Sequence, residues 1–181
     1  MTPQGQASRH TVRDADLGDL TAVHAIYAYY VRHGLASFEE TPPDLAEIER
    51  RFDTTVDNGL PYLVAELDGT IRGYAYAGRY RARPAYRYSL ENTVYVEPGF
   101  EGRGLGSALL GALIARCEEL GYRRMVAVIG DSANQASIRL HQRLGFQQCG
   151  LLPSVGFKFG RWVDSVLMER PLGPGDTSLP E

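Results

Sequence analysis

Cysteine is scarce in this chain: Cys117 and Cys149 are the only two in 181 residues. Two cysteines with no local pairing pattern argue against a disulfide framework and for a reducing compartment. Neither they nor the four histidines stand at metal-ligand spacing, so no metal is predicted. Positive charge is not in excess. With 19 basic and 22 acidic residues the net charge is −3, which gives no electrostatic case for nucleic acid or an anionic membrane as partner. No apolar run approaches the length of a membrane-spanning helix, and Met1 to His10 is polar with no apolar signal core. A cytoplasmic protein is predicted. A Gly-x-Ser-x-Gly elbow is missing, which argues against a serine hydrolase. What remains is the profile of an ordinary globular protein, 44% hydrophobic and 23% charged. One domain over residues 11–172 is predicted, with 1–10 and the Gly/Pro/Ser-rich 173–181 as flexible tails.

The most informative segment runs from Thr93 to Ser107. An alternating β-branched strand ends at Pro98, a glycine-rich loop follows, and a helical apolar pattern begins at Leu105. Strand, glycine loop and helix together aim bare backbone N–H groups and a helix N-terminus at one spot, which suits a pyrophosphate. A tight turn without a ligand has the same composition. Two familiar phosphate motifs fit poorly. A P-loop needs Lys before Ser or Thr, and Gly106-Ser107 has none. The dinucleotide fingerprint needs an acidic residue about 20 positions on, and Asp131 lies farther away.

The rest of the chain reads as alternating elements. Asp16 caps a helix with Leu20, Val23, Ile26 and Tyr30 on one face, ending near Gly34. Pro42-Pro43-Asp44 opens another. Asp68-Gly69 joins two strands into a hairpin. The helix from Leu105 carries Leu109, Leu113 and Cys117 inward and stops near Gly121. Met125 to Ile129 is a short apolar strand, placed as the parallel neighbour in a crossover unit. A helix with Ile138, Leu140 and Leu144 follows Asn134. Short strands are predicted at Phe146–Cys149 and Val163–Glu169, and Phe38 and Trp162 are read as core.

Several polar residues stand out, each with two readings. Glu91 shares strand parity with Thr93 and Tyr95. A solvated face explains it, and so does a ligand resting on the glycine loop. His141 on the last helix is either structural or catalytic. Asn134 is a helix cap, or its amide meets a cofactor's polar arm. Arg79, Arg81, Arg83 and Arg87, interleaved with tyrosines, form a solvated edge or a carboxylate clamp.

In combination the glycine loop, the Asn134…Ser137…His141 helix and Leu144-Gly145-Phe146 resemble the GNAT superfamily of N-acetyltransferases. Within it, Ser37-Phe38-Glu39, Arg79 to Tyr86, Glu91 to Val96, Arg139-Leu140-His141 and Gly156 to Asp164 are similar to the phosphinothricin acetyltransferase family, from about Val12 to Pro171. The resemblance implies an α/β fold: a mixed, mostly antiparallel sheet with helices on both faces. It implies acetyl-CoA as co-substrate without a metal, a small amino-acid-like substrate and a homodimer. Glu91 and His141 match the catalytic positions. Val94, Tyr95, Val96, Gly102, Arg103, Gly104, Leu105, Gly106, Ser107, Asn134 and Ser137 match cofactor contacts, and Phe38, Arg81, Arg83 and Tyr95 match substrate contacts. Glu101 departs from the superfamily's Gln or Arg at the head of the glycine motif, so some loss of coenzyme affinity is expected. Acetylation of a protein N-terminus or lysine, and a non-catalytic acetyl-CoA-binding module, are the alternatives.

Overall fold

A computed structural model describes residues 10–180. The leader predicted over residues 1–10 lies outside them except for His10. Among the described residues seven strands and four α-helices follow in the order β1 (His10–Asp14), α1 (Leu20–His33), α2 (Leu45–Asp57), β2 (Tyr62–Leu67), β3 (Thr70–Arg79), β4 (Ser89–Val96), α3 (Leu105–Glu119), β5 (Arg124–Gly130), α4 (Gln135–Arg143), β6 (Gln147–Lys158) and β7 (Arg161–Pro171). They form one sheet in the order β1-β2-β3-β4-β5-β7-β6. Every neighbouring pair is antiparallel except β4 and β5.

Local chemistry sets the elements. Asp16 caps a 3-10 turn at Leu17–Asp19 that leads into α1, and the Asp44 side chain accepts from the Glu47 N–H to start α2. Asp68 and Gly69, both at positive φ, turn the β2–β3 hairpin. Alternation along the strands then feeds two cores. Leu63, Ala75 and Leu90 meet Leu105, Leu109 and Leu113 of α3 on one face. Val64, Tyr62 and Tyr74 meet Leu20, Val23, Ile48 and Phe52 of α1 and α2 on the other. Helices therefore cover both faces, and Cys117 is fully buried among the first set.

Two readings change. The strands β6 and β7 are far longer than their apolar stretches, because register shifts at Gln148/Gly150 and Leu152/Gly156 absorb the glycines and Pro153. Trp162 is 65% exposed rather than core, and Phe38 is 40% exposed. The segment after Leu172 lies against Arg123, whose guanidinium donates to the carbonyls of Gly175 and Leu179 and to Ser178 Oγ.

Candidate active site

The parallel pair is short. Ser89, Leu90 and Glu91 pair with Arg124, Met125 and Val126, and beyond them β4 and β5 diverge. Two cavities open at this split, of about 310 and 680 Å³. They share Ala36, Val94, Tyr95, Asn134 and Ser137, so one long ligand can occupy both. The smaller is lined by Glu91, Asn92, His141 and Phe38. The larger is lined by Val96, Gly102, Gly104, Leu105, Gly106 and Ser107, with one side of α4 opposite.

Glu91 stands on the sheet face that α1 and α2 cover. That face is not a solvated one: its neighbour Tyr95 packs among Tyr27, Tyr30 and Tyr74. Burial raises the Glu91 carboxyl above the usual carboxylate range, and Arg81, 4.0 Å away, opposes the shift. Arg81 and Arg83 are exposed and do not line the smaller cavity, and the Arg81 guanidinium rests over the Tyr80 ring.

His141 approaches the split from the opposite face. It is 2% exposed and packs edge-on against Phe146. Its Nδ1 lies 2.8 Å from the Ser137 carbonyl and its Nε2 lies 2.9 Å from Asn92 Nδ2. A carbonyl only accepts, so Nδ1 carries the proton and Nε2 accepts from the Asn92 amide. Burial lowers the imidazole's pKa, against the pull of the Ser137 carbonyl, and favours the neutral ring. Asn92 Oδ1 is buried with no hydrogen-bond partner among the described residues.

The α1–α2 loop covers the smaller cavity. Lys158, 2% exposed at the end of β6, donates to the carbonyls of Gly34 and Ser37 at 2.9 and 2.7 Å. Tyr27 Oη and Ser37 Oγ are hydrogen-bonded, and Tyr95 Oη donates to the Ala36 carbonyl at 3.3 Å. A β-carbon at Gly130 would stand 2.2 Å from the Leu35 carbonyl oxygen, and one at Gly156 would stand 2.4 Å from the Phe38 ring. Only glycine lets this loop sit down on β5 and β6.

The larger cavity fits a phosphate-bearing ligand. Gly104 sits at φ +86° and starts α3 with no side-chain cap, whereas Asp44 and Asn134 cap α2 and α4 with their side chains. Leu105, Gly106 and Ser107, at the start of α3 where N–H groups have no partner within the helix, line the cavity. Leu105 is buried in the core and contributes backbone only. The Arg103 guanidinium lies over the Phe100 ring. Glu101, which sequence marked as a source of repulsion, lines this cavity and accepts from the Gly99 N–H at 2.7 Å through one oxygen. Asn134 Oδ1 accepts from the Ser137 N–H and caps α4. Its other amide atom has no partner among the described residues, so cap and ligand contact are compatible. Among the described residues no group of three or more His, Cys, Asp or Glu is placed to hold a metal. Also among them, no helix is long and apolar enough to cross a membrane.

Comparison with known proteins bears directly on this arrangement. The family model described as "Acetyltransferase (GNAT) family" matches residues 23–146. The chain belongs to the GNAT acetyltransferase family. A phosphinothricin N-acetyltransferase from Alcaligenes faecalis is 57% identical over 171 residues, covering 94% of this chain and 87% of the relative. An L-methionine sulfoximine/L-methionine sulfone acetyltransferase from Pseudomonas aeruginosa is 45% identical over 165 residues, covering 91% and 95%. The crystal structure of a GNAT superfamily phosphinothricin acetyltransferase from Sinorhizobium meliloti in complex with AcCoA superposes with a TM-score of 0.92 at 47% identity, covering 95% and 93% of the two chains. Asn92, Lys158, Arg139 and Arg143 of this GNAT chain line or brace the cavities, though the sequence assigned none of them a site role. Asn92 was the most accessible: a polar residue at the parity of Leu90 and Val94 points into the helix-covered core.

Proposed function

We propose that the protein transfers the acetyl group of acetyl-CoA to the α-amino group of a small amino-acid-like substrate of the phosphinothricin, methionine sulfoximine or methionine sulfone type. One observation carries this reading. Glu91 and His141 reach the walls of one cavity from opposite sheet faces, and that cavity continues into the uncapped glycine loop. The named relatives support the substrate class.

Bound acetyl-CoA supplies a thioester carbonyl to be attacked. The residues of this chain hold and deprotonate. The backbone of residues 102–107 grips the pyrophosphate, and Val94 to Val96 lie on the stretch of β4 that β5 no longer pairs. The substrate's ammonium must lose a proton before it can attack, and Glu91 takes it, its raised pKa bringing it nearer the working pH. His141 rests neutral with its Nε2 lone pair toward Asn92. It gives a proton to the departing thiolate only after taking one up at Nε2. The substrate carboxylate sits against Arg81, which lies 4.0 Å from Glu91, or against Arg83, and Phe38 and Tyr95 shape the substrate end.

A coenzyme-release assay with phosphinothricin, methionine sulfoximine, methionine sulfone, their carboxamides and an N-terminal peptide tests the reading. The free acids react, and the carboxamides are slower by roughly ten- to a hundredfold in kcat/KM, the value of about 1.5–3 kcal/mol for a lost charge-assisted contact. Faster acetylation of the peptide than of any amino acid overturns it.

We also assign a homodimer and a cytoplasmic location. The β6–β7 hairpin presents Leu151, Leu152, Val155, Phe157, Phe159 and Trp162, each at least 45% exposed, an apolar surface of the kind a second subunit covers. Cys117 and Cys149 are unpaired, which accords with a reducing compartment. Light scattering of the purified protein distinguishes dimer from monomer.

A further inference from the structure

Five residues that line the smaller cavity carry a hydroxyl: Ser37, Thr93, Tyr95, Ser137 and Ser165. Four of these hydroxyls are engaged. Ser37 Oγ is hydrogen-bonded to Tyr27 Oη, and Tyr95 Oη donates to the Ala36 carbonyl. Thr93 bonds the Tyr76 hydroxyl, and Ser137 Oγ lies 3.5 Å from His141 Nδ1. Ser165 alone has no side-chain hydrogen bond to any described residue, although it is only 5% exposed.

The sheet register shows where Ser165 points. It pairs with Gly130, where a β-carbon would run into the Leu35 carbonyl and the Phe38 ring. Residues paired across strands share a face, so the Ser165 side chain lies on the side covered by the α1–α2 loop. Its neighbour Val166 packs on the opposite side, in the core beneath α3. Glu91 stands on the same face as Ser165 and pairs with Val126 of β5, in the strand that ends at Gly130. From Val126 to Gly130 the strand runs about 13 Å. Glu91 thus marks one end of a trough and Ser165 the other. Phe38 and Val128, each 40% exposed, are the apolar wall between them.

A bland account of Ser165 covers only part of this. The Phe38 ring presses onto β5 and β6, so a small residue is needed on β7 beneath it. Alanine or glycine meets that need equally well. Neither leaves a buried hydroxyl unpaired, which is destabilising. Lack of room explains the size of Ser165 but not its oxygen.

The geometry points to Ser165 as the residue that reads the distal oxygen of the amino-acid substrate, its hydroxyl donating to an oxygen on a tetrahedral phosphorus or sulfur. This assignment rests on the substrate class proposed above and deepens it. Phosphinothricin, methionine sulfoximine and methionine sulfone share one skeleton. Two methylenes lead from the α-carbon to a tetrahedral atom that carries an oxygen and a methyl group. With the amine at Glu91, the oxygen meets Ser165 and the methyl meets Phe38. Methionine has the same skeleton without the oxygen. It leaves the Ser165 hydroxyl unpaired in the complex, and a site built around a hydrogen bond discriminates against the analogue that lacks it.

The test is steady-state kinetics of the wild type, Ser165→Ala and Ser165→Cys with phosphinothricin, methionine sulfone and methionine. Methionine is also read as a competitive inhibitor, so its affinity is measured even where its turnover is slow. Ser165→Ala lowers kcat/KM roughly three- to tenfold for the sulfone and roughly tenfold or more for the anionic phosphinothricin. The inhibition constant of methionine stays within about twofold, the allowance for one small side chain changed. Ser165→Cys keeps the volume with a poor donor and behaves like Ser165→Ala. Circular dichroism and coenzyme A affinity check that the fold is retained. Equal losses for all three amino acids overturn the proposal, as does an unchanged preference for the sulfone over methionine. A Cys variant with the wild type's preference overturns it too, since volume and not the hydroxyl would then decide. If the wild type acetylates none of the three, the substrate class itself fails, and that is seen before any variant is measured.

Discussion

The side-chain amide of Asn92 donates to His141 Nε2 at 2.9 Å, while Nδ1 of the same ring donates to the Ser137 carbonyl at 2.8 Å. Both imidazole nitrogens are thus engaged, and the tautomer is fixed with its proton away from Asn92. A neutral, buried ring with a committed lone pair is a poor resting acid. It becomes one only if Nε2 gains a proton, and the Asn92 amide then has to turn its oxygen to the ring. Asn92 Oδ1, buried and without a partner among the described residues, is the atom available for that exchange.

This pairing predicts how His141 responds to its neighbour. In the wild type, burial makes the ring titrate below the ordinary histidine value. Asn92→Asp sets a carboxylate against Nε2, favours the imidazolium and raises the titration point above that of the wild type. Asn92→Leu removes the donor without adding charge, and the ring stays on the low side. Heteronuclear NMR of the imidazole nitrogens reads both. An unmoved titration in Asn92→Asp would mean that the amide does not govern the ring.

The coenzyme loop is tested most cleanly at Gly106. A β-carbon there would stand 3.2 Å from Leu140 and 3.7 Å from Val96, in the wall of the larger cavity. Gly104, at φ +86°, would add backbone strain to any substitution and confuse the outcome. Gly106→Val therefore crowds the space where the pyrophosphate meets α3. Overpacking costs about 1–3 kcal/mol of stability, while coenzyme A affinity falls at least tenfold. Unchanged affinity in a folded protein counts against the loop as the pyrophosphate site.

Lys158 should act on the amino-acid substrate and not on the coenzyme. Its ammonium bonds the Gly34 and Ser37 carbonyls, so it ties the α1–α2 loop to β6. Burial lowers its pKa, with Glu40 and Glu39 opposing. Lys158→Met keeps the apolar stem and releases the loop. The KM for the amino-acid substrate rises roughly tenfold, the size of about 1.4 kcal/mol of lost ordering. Coenzyme affinity stays within about twofold, and amide exchange over residues 34–38 accelerates. Equal losses for both substrates would place Lys158 in general stability instead.

Much of this was legible in the chain because short-range chemistry decided it. Strand β4, the glycine loop and α3 follow from alternation, left-handed glycine and helical spacing, all between Ser89 and Glu119. The Asp68-Gly69 hairpin and the Asp44 and Asn134 caps are equally local. The long edge strand β6 was not legible, since Gly150, Pro153 and Gly156 read as breakers until bulges against β7 accommodate them. Trp162 was misread because an apolar side chain on a two-stranded edge has no third layer to bury it. Glu91 was the hardest case. Its alternation is the same for a solvated face and for a face covered by α1 and α2, and the choice depends on helices 34 to 71 residues earlier in the chain. The meeting of Glu91 with His141 across the sheet depends on where β4 and β5 separate, which no local pattern encodes.

The division of labour between those two residues gives the last prediction. A base must be unprotonated to act, so kcat/KM climbs as pH rises through the Glu91 pKa. Burial has raised that pKa, so the low-pH limb lies above the ordinary carboxylate range. Arg81 opposes the shift, and Arg81→Gln therefore moves the limb to still higher pH. Glu91→Gln removes the acceptor while preserving size. Turnover then drops about 10²–10⁴-fold with coenzyme affinity nearly unchanged. The residual rate grows with pH until the free amine is abundant, because an amine already deprotonated in solution needs no base. His141→Phe slows turnover by impairing proton delivery to the thiolate but keeps the Glu91 limb. Complete pH–rate profiles of the three variants decide the matter. If Glu91→Gln retains near wild-type turnover at neutral pH while His141→Phe erases the limb, the roles are exchanged. His141 Nε2, released from Asn92, is then the base.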